Sequence, residues 1–317
     1  MRTLTSLIAV LLLTARRRGV RGVPRFCGRA LYLVMRLRHR RLPRAAAVAR
    51  TRPASATVAP GPVDTVRIAG LTWSIPSDDR KPGSLSDRTL HRDLPLADIL
   101  RTRAFARGGV MIDIGANIGT TSITRLLLGD VDRIYGVEPD PANFACLQRT
   151  IRDNGLEDYV MVDRVALGET DGEADLLVAS RIGRHRLLAS GAAGRSTIRV
   201  PTMRLDTWTQ RLGADLDRVR YVKCDTQGWE AHVVAGATAL LARRAIRWEM
   251  EICPGLLDAA GSSVDELCAM LAPHFEWFVD LRADDETLDR RATAELAAAV
   301  QAAVAGGKNY TNVVLSN

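Results

Sequence analysis

Lysine is almost missing from this chain. Of 44 basic side chains only Lys81, Lys223 and Lys308 are lysine, so its positive charge is nearly all arginine. Acids are missing from residues 1–60, which hold 14 arginines, whereas the other 257 residues carry 30 basic against 36 acidic side chains. The formal charge of +8 therefore belongs to a separable leader. The acidic remainder lacks the basic footprint a polyanion needs, which argues against a nucleic-acid substrate. The five cysteines, Cys27, Cys146, Cys224, Cys253 and Cys268, contain no Cys-x-x-Cys pair, and a reduced, cytoplasmic protein is expected. No pair of His or Asp stands at metal-ligand spacing beyond acids better assigned elsewhere, so no metal site is expected, although one or two carboxylates would suffice for magnesium.

A long apolar run is also lacking at the N-terminus. Leu4 to Thr14 is shorter than the roughly 20 residues that span a bilayer. Arg16, Arg17 and Arg18 follow it where a signal peptide would carry small residues. Phe26 to Arg41 mixes Leu31, Tyr32, Leu33, Val34 and Met35 with Arg36, Arg38, Arg40 and Arg41. This is the pattern of a basic amphipathic helix resting on an anionic membrane, and it makes peripheral contact of residues 1–41 with the inner face of a membrane one reading. A disordered arginine-rich leader, or an over-extended start, is the other. Pro43, Pro53, Pro60 and Pro62 lie among small residues and mark a linker, so residues 1–62 are read as a flexible basic extension and 63–317 as the folded domain.

The body holds one informative stretch. An apolar run ending in Asp113, a turn containing Gly115 and Gly119, an amphipathic segment, and a second apolar run ending in Glu138 make a β-α-β unit. Glycines let backbone approach a ligand closely, and the helix start after Gly119 offers unpaired N–H groups. A carboxylate at the end of the second strand is placed to accept hydrogen bonds from ribose hydroxyls. The spacing Asp113-x-Gly115-x-Asn117-x-Gly119 is not the Gly-x-Gly-x-x-Gly of dinucleotide sites. An acid two residues before the first glycine repels pyrophosphate and suits a cofactor carrying positive charge, such as S-adenosylmethionine (SAM).

The core alternates strand and helix: strands at 110–114, 133–137, 159–167, 219–224, 246–252, 276–281 and 311–315, and helices at 120–128, 141–153, 229–243 and 264–272. Residues 173–179 and 196–200 read as an antiparallel excursion, and 180–195 as a mobile loop rich in Gly, Arg and Ser. The alternation predicts a doubly wound, Rossmann-like α/β sheet with ligands at the strand C-terminal ends. Asp113, Glu138, Asp225 and Glu251 all fall at such ends. Four carboxylates at four strand tips are costly to bury without partners, so core packing does not explain them.

Taken with Gly136-Val-Glu-Pro-Asp-Pro141, Val165-Ala-Leu-Gly168, Val200-Pro-Thr-Met-Arg-Leu-Asp206, Val222-Lys-Cys-Asp-Thr-Gln-Gly-Trp-Glu230 and Gly236-Ala237, the motif around Asp113 resembles the FkbM family of SAM-dependent methyltransferases. The resemblance runs from about Val110 to the C-terminus. Many members have Val-Glu-Gly-Ala-Glu where this chain has Thr226-Gln227-Gly228-Trp229-Glu230. The resemblance implies a seven-stranded class I methyltransferase sheet with its last strand antiparallel, and methyl transfer to a hydroxyl of a sugar, glycan or polyketide-like molecule. It implies that Asp113, Gly115, Asn117 and Gly119 hold the methionine end, that Glu138 holds the ribose, and that the stretch from Asp163 to Ala166 lies along the adenine edge. Asp225 would face the methionine amino group or the acceptor. Transfer from a sulfonium needs in-line placement and a base, and the candidates are Asp225, Glu251, His91 and His185. Glu249, two residues before Glu251 on the same face, reads instead as the partner of an arginine. The competing readings are an NAD-linked oxidoreductase, which the missing dinucleotide motif disfavours, and a membrane-associated scaffold that keeps the fold without catalysis.

Overall fold

The computed structural model describes residues 63–68, 71–77, 99, 102, 105–106, 108–178, 186–187, 197–281 and 288–317. The leader 1–62, His91 and His185 lie outside them. The described chain opens with an antiparallel hairpin, β1 (Val63–Ile68) and β2 (Leu71–Pro76).

The central unit then runs β3 (Val110–Ile114), α1 (Thr120–Leu128), β4 (Arg133–Val137), α2 (Pro141–Asp153) and β5 (Val160–Asp163). These bounds follow from local chemistry. Gly119 and Gly129, both at positive φ, flank α1. Asp140 caps α2 through the N–H groups of Ala142 and Asn143, with Pro141 in the first turn. The hairpin docks on α2 through polar contacts: Ser74 N donates to Thr150 Oγ1 at 3.0 Å and Thr72 N to Asn154 Oδ1 at 2.9 Å.

The expected strand 159–167 is divided between two sheets. β5 ends at Asp163, and β6 (Ala166–Gly168) joins β7 (Gly172–Leu177), β8 (Arg186–Leu187) and β9 (Thr197–Arg204) in a four-stranded sheet of order β6-β9-β7-β8. The excursion β7–β9 pairs antiparallel as expected, while β8 places a strand inside the stretch expected to be a mobile loop.

After α3 (Leu205–Thr209) and a 3-10 segment come β10 (Val219–Cys224), α4 (Glu230–Ala235), α5 (Thr238–Leu241), β11 (Arg247–Ile252), α6 (Pro254–Ala259), α7 (Val264–Leu271), β12 (Trp277–Asp280), β13 (Arg291–Ala292), α8 (Leu296–Ala305) and β14 (Thr311–Ser316). The helix expected over 229–243 divides at Gly236. Its backbone crosses β6 so closely that a Cβ there would collide with the Gly168 carbonyl oxygen.

The main sheet has the order β13-β12-β14-β11-β10-β3-β4-β5. β14 runs antiparallel to both β11 and β12, and the other pairs among β3, β4, β5, β10 and β11 are parallel. The expected count of seven strands is corrected to eight, because the two-residue β13 extends the outer edge of β12, with Arg291 lying over the Phe278 ring. The doubly wound, Rossmann-like α/β architecture is as expected. From β3 the chain winds outward to β5, then returns to β10 on the other side of β3. The topological switch point, where such sheets bind ligands, lies between β3 and β10.

Alternation assigns the two faces. Val110, Ile112 and Ile114 of β3 enter one core with Val222, Cys224, Trp248 and Met250. Met111 and Tyr221 enter the other, beneath α1 and α2. Asp113, Lys223 and Glu249 stand in register on three neighbouring strands, two residues along from Met111, Tyr221 and Arg247. Near-continuous burial elsewhere on these strands makes this charged row a feature to be explained. Among the described residues no helix is long and apolar enough to cross a membrane.

Candidate active site

The site begins at the turn leaving β3. Gly115, Asn117 and Gly119 all take positive φ, at 78°, 54° and 84°. Asn117 is one of two non-glycine residues with positive φ among those described; the other is Gln227. A side chain at Gly115 would collide with the Asp225 carbonyl oxygen, so β3 and β10 can approach here only with glycine. The turn is tied to β4 by Gly115 N and Ala116 N donating to Val137 O, at 3.1 and 2.9 Å, and across the switch point by Asp225 N donating to Ile114 O at 3.1 Å.

Asp113 lies at the base of this turn, 1% exposed; among the described residues neither carboxylate oxygen has a well-formed hydrogen bond, and the Ser122 hydroxyl is the one side-chain donor that acts on it. Burial raises its pKa against the pull of the Lys223 ammonium. Asn117 Oδ1 is likewise buried and unpaired. Glu138, at the end of β4, accepts from Asn117 N at 2.8 Å and from Asp140 N at 2.9 Å. Burial pushes its pKa up to about 8 despite those two donors. Gly115, Asn117, Gly119, Asp113 and Glu138 are thus brought together at one end of the sheet.

The adenine-edge candidates are placed less simply. Asp163 follows β4 in register, Val137 opposite Asp163, and its carbonyl accepts from Glu138 N at 3.1 Å. Its carboxylate, however, is engaged by Trp208 Nε1 at 2.8 Å and Arg211 at 3.3 Å. Ala166 belongs to the second sheet and is buried with Leu176, Leu187 and Val200.

The other half of the site is built on β10 and β11. Lys223 Nζ lies 3.0 Å from Asp225 Oδ2. Its burial is outweighed by Asp225, Asp113 and Glu249, which hold its pKa above the ordinary value. For Asp225, burial is in turn outweighed by Lys223 and Gln227, so its pKa lies below the usual carboxylate range. Gln227 Nε2 donates both to Asp225 Oδ1 and to Glu251 Oε1, each at 2.9 Å. Burial, then Asp225, lifts Glu251 to about 8. A cavity of about 110 Å³ opens beside these groups, lined in part by Thr121, Lys223, Asp225, Glu251 and Asn312.

Two candidate bases are therefore together, Asp225 and Glu251, and the geometry separates them. Asp225 is held ionised by a cation, whereas Glu251 is the carboxyl whose pKa is carried toward neutrality. Glu249 has the partner expected of it, Arg125 of α1 at 2.8 Å, and also accepts from Tyr221 OH at 2.6 Å. Glu230 is absorbed by the backbone, accepting from Thr226 N at 2.8 Å and Gly228 N at 3.0 Å. Lys223 and Gln227 were not among the expected site residues. The signal for Lys223 was its position opposite Asp113, and for Gln227 an amide two residues past a strand-end acid. Among the described residues no group of three or more His, Cys, Asp or Glu is arranged to hold a metal ion.

The methyltransferase FkbM domain family matches residues 113–276, just over half the chain. Solved structures with a similar course include the methyltransferase FkbM of Methylobacillus flagellatus KT, at 15% identity and a TM-score of 0.38, covering 66% of this chain and 43% of that one. The P. horikoshii TYW2 in complex with MeSAdo follows at 12% identity and 0.37, covering 80% and 69%. M. capricolum TrmK in complex with S-adenosyl-homocysteine follows at 9% and 0.35, covering 68% and 65%. This chain thus spans less than half of the FkbM structure it resembles. No curated protein matches the sequence.

Proposed function

The chain belongs to the FkbM methyltransferase family, and from that premise we propose that it is a SAM-dependent O-methyltransferase acting on a hydroxyl of a sugar, glycan or polyketide-like molecule. The observation that carries the cofactor reading is Asp113. A buried carboxylate with no well-formed hydrogen bond and only the Ser122 hydroxyl acting on it, under a turn of three positive-φ residues, is short of donors and calls for a cationic or hydrogen-bond-donating ligand. SAM carries an ammonium and a sulfonium, and its ribose carries two hydroxyl donors, so the acceptor-only groups around it fit. Asp113, with the Gly115–Gly119 turn, would hold the methionine end. Glu138, whose raised pKa reflects a carboxyl short of solvation, would take the ribose hydroxyls.

The cofactor supplies a methyl group already activated by the sulfonium. What remains for the chain is to place an alcohol oxygen in line and remove its proton. Glu251 is read as that base, because a carboxyl near pH 8 accepts a proton with more driving force than an ordinary one and is still ionised in part at neutral pH. Asp225 keeps a negative charge beside it, neutralised by Lys223. His185 lies outside the described residues and is retained only as an alternative base.

The test is transfer of a labelled methyl group from SAM to a panel of sugar and macrolide alcohols by the full chain and by Glu251→Gln. Labelled product with the full chain and its loss in the variant support the reading. Turnover by Glu251→Gln at the parent rate would remove Glu251 from the role.

A further inference from the structure

We infer that Gln227 is a positioning residue whose side-chain amide, held at the apex of a left-handed turn, ties the Glu251 carboxylate to Asp225 and fixes its orientation for proton removal. The inference rests on the reading of Glu251 as the base.

The backbone supplies the first argument. Gln227 sits at φ 56°, a conformation that a long side chain adopts at a cost and that persists only where surroundings enforce it. The enforcing group is Glu230, 1% exposed, which gathers Thr226 N, Thr226 Oγ1 at 3.0 Å and Gly228 N on either side of the apex. A turn clamped this way would accept glycine at its apex with less strain. A glutamine there points to a use for the side chain.

That use is visible in the amide. Both contacts, Asp225 Oδ1 and Glu251 Oε1 at 2.9 Å each, are made by Nε2. A primary amide nitrogen has two hydrogens to give, so one goes to each carboxylate. The opposite amide orientation would set a carbonyl oxygen against two carboxylates, so chemistry dictates the assignment. Lys223 occupies the other oxygen of Asp225. Asp225 is thus bonded on both oxygens, and the amide joins Glu251 to a fixed point.

The groups acting on Glu251 come from every neighbouring element: Lys223 of β10 and Asp225 just past it, Glu230 of α4, the neutral Cys253 thiol just beyond its own strand, and the uncharged Asn312 opposite it on β14. Lys223 lowers the pKa of Glu251, and Asp225 and Glu230 raise it. Gln227 is the neutral donor that offsets their repulsion at Glu251, and its removal should move the titration of Glu251 upward.

The experiment is a carbon-13 NMR titration of glutamate carboxyls in the full chain, in Gln227→Met and in Gln227→Glu, with Glu251→Gln identifying the resonance. Gln227→Met keeps the side-chain length and removes both donors; Gln227→Glu is close to isosteric and adds a carboxylate. The expected result is a Glu251 midpoint raised by roughly one pH unit in the first variant and further in the second. The acid limb of the methyl-transfer rate should move with it. A Glu251 midpoint unmoved in both folded variants overturns the inference, even if their unfolding temperatures fall, because a merely structural glutamine would change stability alone. The titration needs no acceptor. Failure of the base reading shows separately, as full turnover by Glu251→Gln.

Discussion

The two halves of the site hold their carboxylates in opposite ways. At the tips of β3 and β4, Asp113 has no well-formed hydrogen bond to either carboxylate oxygen, with only the Ser122 hydroxyl acting on it, and Glu138 is held mainly by backbone N–H groups, with the Asn143 side chain beside them. At the tips of β10 and β11, Lys223, Asp225, Gln227 and Glu251 are bonded to one another in a chain of side chains. The first half is assembled from backbone and left short of donors; the second satisfies itself. Unmet hydrogen-bonding capacity marks where a ligand supplies the missing groups, and a closed network marks where geometry is set before the ligand arrives.

The comparison is broken most severely at Glu251. Glu251→Gln should lower methyl transfer by about 10²- to 10⁴-fold, the range for a general base, and leave SAM binding within a few fold when titrated calorimetrically. Its neighbour Glu249 belongs to the packing. Arg125→Met would leave the buried Glu249 carboxylate without its cation and should cost about 3–5 kcal/mol of stability, read from denaturant unfolding. Two glutamates separated by one residue on β11 would thus fail in different assays.

On the cofactor side, Glu138→Ala should weaken SAM binding by roughly 10- to 100-fold, the equivalent of one charged hydrogen-bonding group, with the unfolding temperature little lowered. Stability should also depend on pH. Glu138 at about 8, Glu230 at about 7 and Glu251 at about 8 all bind protons more tightly folded than unfolded, where the reference is 4.5. Folded protein therefore holds more protons between those values, and its stability falls as pH rises through them. The ligand-free unfolding temperature should fall from pH 5 to pH 8, and Glu138→Gln should flatten that slope. Asp225, with its lowered pKa, acts in the opposite sense: its contribution is present at neutral pH and lost on acidification below the ordinary value of 3.8.

The cofactor half was the more legible in the sequence. β3, α1, β4, α2 and β10 have the bounds read from pattern, because apolar runs, Gly119, Gly129 and the Asp140-Pro141 start are local signals. What was not legible depends on contacts distant in sequence. The break between β5 and β6 is one such feature, and the glycine at 236 is another: a Cβ there would collide with the Gly168 carbonyl oxygen. α8 carries six alanines in ten residues, a composition that leaves no apolar stripe to read. Asp163 came from the family resemblance, but Trp208 and Arg211, 45 and 48 residues away, claim its carboxylate. Gln227 reads as an ordinary turn residue until the fold brings Glu251 within 2.9 Å of it.

The most direct test of the account is calorimetric titration of the full chain with SAM and, separately, with NAD. Micromolar SAM binding with no heat from NAD is the predicted result, since Asp113 favours a cation and repels pyrophosphate. A folded chain that binds no SAM, or that binds NAD as well, would contradict it.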